Sequence, residues 1–276
     1  MLNFVKRTLR TSLDAFGFEL RRKKQFEQAD APYHALPLLL DSKEVTTIID
    51  AGASIGDISL KLANLFPLAT VHAIEPYPPF HERLESIAAK NERIRAEKLA
   101  LSDKNGSKFL QINKSEGTNS LLKSNEDGKK IYGDQLATTG KIKVKSQTLD
   151  YFIHEHAIEQ VDLLKIDLQG SELPALLGAS KALSKGTIKC ILCEIMFHPS
   201  YESQSSAAAI LHHLTEKHDY HSFNLYQPHY HHGYLLQTDA LLFHSSIHSV
   251  AMEKARLAFY PHSAISAKVS NQVNPN

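Results

Sequence analysis

The sequence predicts an α/β fold: a mostly parallel sheet with helices on both faces, an antiparallel edge hairpin and a helical N-terminal extension. Three observations carry that expectation. Short β-branched apolar runs alternate with segments of helical periodicity, the rhythm of βαβ units. The first such run leads directly into a glycine-bearing turn and a helix start. The last two runs follow one another with no helix between them, as an antiparallel hairpin requires.

Taken in order, residues 46–50 (Thr46, Thr47, Ile48, Ile49, Asp50) read as the first strand, and Ile58, Leu60, Leu62, Ala63 and Leu65 mark the helix after it. Residues 69–74 form a second strand closed by Glu75 and Pro76, residues 80–91 a helix, and residues 98–101 a third, short strand. Residues 103–147 break the rhythm. They hold Gly106, Gly117, Gly128, Gly133 and Gly140 among many Lys, Ser and Asn, which suits a hairpin or loop rather than another βα unit. Alternation resumes with a strand at 161–166, a helix at 172–183, a buried strand at 188–195 and a helix at 207–217. Strands at 220–225 and 235–243 complete the edge hairpin, and the chain beyond residue 261 reads as a frayed tail. These elements divide the chain into an extension over 1–43, a domain over 44–246, and a C-terminal helix with tail over 247–276.

A chain of 276 residues with two cysteines excludes a disulfide scaffold and points to a reducing, cytoplasmic setting. Cys190 and Cys193 spell C-x-x-C, yet within a strand residues three apart face opposite ways, so both belong to the core. The near-neutral total of +1 conceals an asymmetry. Residues 1–24 carry Lys6, Arg7, Arg10, Arg21, Arg22, Lys23 and Lys24 against Asp14 and Glu19, a net +5, which leaves −4 on the remainder. Phe4, Val5, Leu9, Leu13, Phe16 and Leu20 give this arm an apolar stripe. It suits a helix packed on the body with its cations solvated, or one in peripheral contact with an anionic membrane. No apolar run reaches transmembrane length. The acidic body lacks a basic patch interleaved with aromatics, so no nucleic-acid partner is expected.

The segment Ile48-Ile49-Asp50-Ala51-Gly52-Ala53-Ser54-Ile55-Gly56 carries the most chemistry. Glycines let backbone approach a ligand closely, and a helix start offers free N–H donors. Dinucleotide sites use G-x-G-x-x-G to hold a pyrophosphate; here the spacing is G-x-x-x-G, which suits a ligand without one, such as S-adenosylmethionine. Glu75, at the end of the second strand, can accept hydrogen bonds from both ribose hydroxyls. Ser102 and Asp103 follow the third strand, where small polar groups can edge an adenine. Asp167 closes the 161–166 strand, at the carboxyl end where open α/β sheets bind ligands.

These segments together resemble the FkbM-type methyltransferases, S-adenosylmethionine-dependent enzymes with the class I (Rossmann-like) methyltransferase fold. The marks are IIDAGASIGDISL, HAIEP, LALSD, the TLD at 148–150, LLKIDLQGSELPALLGA, LCEI and QTDALLF. The resemblance implies O-methylation of a small-molecule or glycan acceptor: a sugar, glycolipid or secondary-metabolite hydroxyl; the alternatives are a nucleic-acid methyltransferase and a non-catalytic S-adenosylmethionine-binding or scaffold protein of the same fold. It implies S-adenosyl-L-methionine contacts at Asp50, Gly52, Ser54, Gly56, Glu75, Ser102 and Asp103, with Ala53, Pro76 and Asp167 beside them. Two positions depart from the family pattern: Ser54 stands where Asn is common, and Gln169 where Glu is usual.

A hydroxyl acceptor benefits from a general base. Asp167 is the first candidate, either as base or as a ligand of the methionine amino group. His198, after the 188–195 strand, is a second candidate; Glu172 and Glu194 stand behind both. Lys165, inside a strand, suits pairing with a carboxylate. No set of carboxylates shows a clear metal-ligand spacing, and none is expected to hold a metal. His229, Tyr230, His231 and His232 suit a hairpin tip, the border of an acceptor pocket or a metal site, and the resemblance implies that the 116–121 loop faces the active site.

Overall fold

The computed structural model describes residues 31–259 and, before them, Leu13. The basic arm over 1–24, apart from Leu13, and the tail beyond 261 lie outside the described residues. Helix α1 (Pro32–Leu39) leads to β1 (Thr47–Ala51), α2 (Asp57–Leu65), β2 (Thr70–Ile74), α3 (Pro78–Ala88) and β3 (Ile94–Glu97). After the short β4 (Ala100–Leu101), β5 (Gly106–Asn113) and β6 (Thr138–Gln147) form an antiparallel hairpin whose connection includes α4 (Glu126–Tyr132). Then come α5 (Leu149–Glu155), β7 (Leu163–Ile166), α6 (Glu172–Leu177), α7 (Ser180–Ser184), β8 (Cys190–Met196), α8 (Ala207–His218), β9 (Tyr220–His231), β10 (Tyr234–His244) and α9 (Ser245–Phe259).

The main sheet has seven strands in the order β3-β2-β1-β7-β8-β10-β9, and β4-β6-β5 form a second, smaller sheet. The five strands from β3 to β8 are parallel, while β10 runs antiparallel to both β8 and β9. This is the α/β architecture anticipated, with the edge hairpin in place. Its chain order reverses at β1, so a crevice opens between the carboxyl ends of β1 and β7, where such sheets bind ligands.

Strand alternation sorts the core between two faces. Ile49, Leu164, Ile191 and Cys193 pack under α5 to α8, whereas Ile48, Leu163, Cys190 and Leu192 pack under α1, α2, α3 and α9. The two cysteines thus occupy opposite faces of β8, both buried and unpaired. Asp150 of the TLD segment accepts hydrogen bonds from the Lys181 and Ala182 amides, satisfying free donors at the start of α7.

Two elements differ from the sequence expectation. The third strand of the main sheet is Ile94–Glu97, set by the pairing of Val71 with Ile94, and residues 100–101 instead join the second sheet beside Ser146 and Gln147. The helix expected over 172–183 breaks into α6 and α7. Gly178 sits against the Ser102 carbonyl so closely that a Cβ would overlap it, and the chain must turn there to let the second sheet approach.

Gly52 is the tightest point of the crevice. Its φ of +79° lies in the left-handed region, and a Cβ would overlap the backbone carbonyl of Asp167. Gly52→Ala is expected to lose on the order of 3 kcal/mol of stability through strain and overlap. Gly140→Ala, with open space around its Cα, should stay within about 0.5 kcal/mol of wild type. Urea unfolding of the two variants checks the pair.

Candidate active site

The site grows from a buried charge. Lys165 points to the α2 side of β7, beside Asp50 on neighbouring β1, its register partner. Its Nζ lies 3.5 Å from Asp50 Oδ1 and 3.6 Å from Asp167 Oδ2, and donates to the Gly52 carbonyl at 3.3 Å. Burial disfavours the ammonium, but Asp167 and Asp50 outweigh it and hold the Lys165 pKa above its ordinary value. Asp50, fully buried, also accepts from Ser59 Oγ at 2.6 Å. One cation therefore ties together the ends of β1 and β7 and the turn at Gly52.

Two cavities open beside this network, and Asp167 lines both. The first is walled by Gly52, Ser54, Glu75, Pro76, Leu101 and Asp167, among others. Glu75 Oε2 accepts from the Ser54 amide at 2.9 Å and Oε1 from the Tyr77 amide at 2.8 Å. Burial lifts its pKa to about 7 against the pull of those two amides. Glu116, Asn119, Ser120 and Leu121 of the 116–121 loop complete this cavity. Ser120 Oγ latches the loop by donating to the Gln169 carbonyl at 2.7 Å.

The second cavity, about 430 Å³, lies on the α2 side and is bordered by Tyr33, Lys61, Glu194, His229, Gln237 and Asp239. Glu194 and Asp239 face each other in register across β8 and β10. Glu194 accepts from Gln237 Nε2 at 2.7 Å and Gln169 Nε2 at 3.3 Å. Burial, then the neighbouring Asp167 and Glu172 carboxylates, push its pKa well above the usual range. Burial raises Asp239 to about 6, with Asp167 adding to the shift and Lys165 opposing it.

The sequence-nominated positions separate accordingly. Gly52, Ser54, Glu75, Pro76 and Asp167 line the first cavity. Asp50 stands behind it, held by Ser59 and Lys165. Ala53 belongs to the core, and a side chain on Gly56 would press on Leu84 and Ile87 of α3. Ser102 is buried at the second sheet, with its amide on Gln147, and Asp103 pairs with Lys108 at 2.9 Å; Leu99, Ala100 and Leu101 take the wall instead. Glu172 lies beneath the 168–170 turn, where Oε1 accepts from the Leu168 and Gly170 amides at 2.7 and 3.1 Å. His198 lines neither cavity.

Two groupings had no signal in linear spacing. Asp167, Glu172 and Glu194 each bring a carboxylate oxygen within 4.8 Å of the others, gathered from the end of β7, the start of α6 and the middle of β8. Gln169 interposes its amide: Nε2 donates to Asp167 at 2.9 Å and reaches Glu194, while Oε1 accepts from Tyr201 at 3.2 Å. A glutamate there would add a fourth carboxyl group, whereas glutamine supplies donors. Tyr33 and Asp239 were also missed, although an Asp and a Gln at alternate positions of the apolar QTDALLF strand mark one face as polar.

A crevice at the β1/β7 reversal, with an acidic residue closing β2 and a glycine turn against β7, defines a class I methyltransferase-type α/β protein. The chain matches the Methyltransferase FkbM domain over residues 50–222 and belongs to that family. It is 27% identical over 183 residues to the 2-O-methyltransferase NoeI of Sinorhizobium fredii, covering 64% of this chain and 74% of that protein. It is 29% identical over 157 residues to the methyltransferase sdnD of Sordaria araneosa, covering 49% and 60% respectively. A methyltransferase FkbM structure from Methylobacillus flagellatus aligns with a TM-score of 0.48 at 18% identity, over 79% of this chain and 49% of that chain. Tyr33, Gln227, His229 and Asp239 of the second cavity fall outside the family-matched span.

Glu172 also predicts a pH dependence. Its carboxyl, raised to about 7 by burial against 4.5 in the free side chain, binds its proton more tightly folded than unfolded. The stability it contributes is complete below about pH 4.5 and is lost as pH climbs towards 7. Between those values wild type should lose on the order of 2 kcal/mol more than Glu172→Gln, measured by urea unfolding at each pH.

Proposed function

We propose that this chain is an S-adenosylmethionine-dependent O-methyltransferase acting on a hydroxyl of a sugar, glycolipid or other small polyhydroxylated acceptor. The observation that carries the proposal is the position of Asp167 at the junction of two cavities. The first cavity fits the nucleoside end of the cofactor: a recessed carboxylate at Glu75, a glycine turn with no room for a side chain, and the apolar wall of Leu99 and Leu101. When bound, S-adenosylmethionine supplies an electrophilic methyl group on a sulfonium. Glu75 would hold the ribose hydroxyls, and the wall the adenine.

The acceptor then occupies the second cavity, whose border of Tyr33, Lys61, Glu194, Gln237 and Asp239 offers hydrogen-bonding groups of both kinds. Asp167 orients the acceptor hydroxyl and takes its proton, while Lys165 and Gln169 Nε2 keep that carboxylate pointed at the junction. Fixing the hydroxyl in line and accepting its proton both lower the barrier to this displacement. The name of the relative NoeI supports transfer to oxygen. The unpaired, buried cysteines suit a cytoplasmic setting, and among the described residues no helix is long and apolar enough to cross a membrane.

Titration calorimetry with S-adenosylmethionine should show binding to wild type and at least a tenfold loss in Glu75→Ala. Asp167→Asn should keep the affinity within a few-fold, yet cut methyl transfer to sugar acceptors by about 10²-fold or more, the usual contribution of a general base. No binding to wild type overturns the proposal, and a large affinity loss in Asp167→Asn would make Asp167 a cofactor ligand instead.

A further inference from the structure

A second cluster lies on the opposite face of the sheet, outside both cavities. His72 in the middle of β2, Glu97 at the end of β3 and His156 just past α5 turn their side chains towards one another. His72 Nδ1 lies 3.6 Å and His156 Nε2 3.4 Å from the same oxygen, Glu97 Oε1. The His72 and His156 rings meet edge to face, with Phe152 packed against both.

The hydrogen-bonding state of the two rings is informative. His156 Nδ1 stands 3.0 Å from the Phe152 carbonyl, which can only accept, so that nitrogen carries the proton. In the neutral ring Nε2 then presents a lone pair to a carboxylate. His72 is 9% exposed, and its Nδ1 is buried with no hydrogen-bond partner. Three atoms able to ligate a metal therefore converge on one point, each within 4.8 Å of the others. Zinc bonded at about 2.0–2.2 Å to imidazole nitrogen and carboxylate oxygen holds its tetrahedral ligands about 3.3–3.6 Å apart. The observed 3.4 and 3.6 Å agree. A backbone carbonyl that fixes the tautomer of a ligating histidine is also a recurrent feature of such sites.

We propose that His72, Glu97 and His156 form a binding site for a divalent transition metal, with zinc the best fit to two imidazoles and one carboxylate. His156 and Glu97 are the more exposed members of the set, and His72 the buried one. The ion joins β2, β3 and the end of α5. The Glu97 carbonyl accepts from the Glu75 and Leu99 amides at 3.0 and 3.1 Å, so the ion also braces the backbone from which the first cavity is built.

The test is zinc titration of the chelator-stripped full chain at pH 7.5, by calorimetry and by thermal unfolding. Wild type should bind one zinc at this site and melt higher with zinc than without. His156→Ala, chosen because the ring is partly exposed, should lose that binding at least tenfold together with the melting shift, and Glu97→Gln should weaken it. A His231→Ala/His232→Ala variant, altered at the exposed hairpin tip, should keep both. A cobalt-loaded sample should show the visible absorption of a tetrahedral site in wild type and lose it in His156→Ala. Absence of zinc binding to wild type, or binding unchanged in His156→Ala, overturns the site.

Discussion

A single ammonium in the interior of a parallel sheet organises this molecule. An unpaired charge at the position of Lys165 would be prohibitive, and removing one partner of a buried pair leaves the other uncompensated at a cost of about 3–5 kcal/mol. Lys165 is tolerated because two carboxylates and a carbonyl surround it: Asp50 from β1, Asp167 from the end of its own strand, and the oxygen of Gly52. Each partner constrains a further feature. Asp50 fixes Ser59 at the start of α2, Gly52 must lack a side chain because Asp167 lies against it, and Asp167 is thereby delivered to the meeting point of two cavities.

Around that cation the negative charges are managed by proton binding and amide donors. Glu172, with its carboxyl raised to about 7, turns to the Leu168 and Gly170 amides, and Glu194 is raised further by burial and its neighbours. Gln169, held at φ +52°, lies between Asp167 and Glu194 and passes the connection on to Tyr201. The single Tyr201 hydroxyl proton is shared between Gln169 Oε1 and the Thr118 carbonyl of the 116–121 loop, 3.2 and 3.0 Å away. The loop that lines the first cavity is thus joined by hydrogen bonds to Gln169 and Tyr201. Gln169 is a coherent part of this arrangement, because its amide donates to both Asp167 and Glu194.

What could be read from the sequence follows from the range of the interactions involved. Sheet class, the turn at Gly52, the recessed Glu75 and the division of Cys190 and Cys193 between faces all arise from local periodicity and backbone chemistry, which a single segment displays. The strand expected at 98–101 was displaced because an apolar run cannot reveal which partner it pairs with: Ile94 took the register opposite Val71. Ser102 and Asp103 were nominated for a pocket edge that Ala100 and Leu101 form instead, since the second sheet rotates that segment. The second cavity was the least legible. Tyr33 and Asp239 are separated by most of the chain, and only closure of the fold brings them together.

The claim that most depends on this geometry is that Asp167 separates a cofactor site from an acceptor site. A crystal structure of the chain with S-adenosylhomocysteine tests it directly. The account predicts the ribose on Glu75, the adenine against Leu99 and Leu101, and the sulfur facing Asp167 where the cavity of Tyr33 and Asp239 begins. A ligand whose ribose lies away from Glu75, or whose sulfur faces away from Asp167, would contradict it.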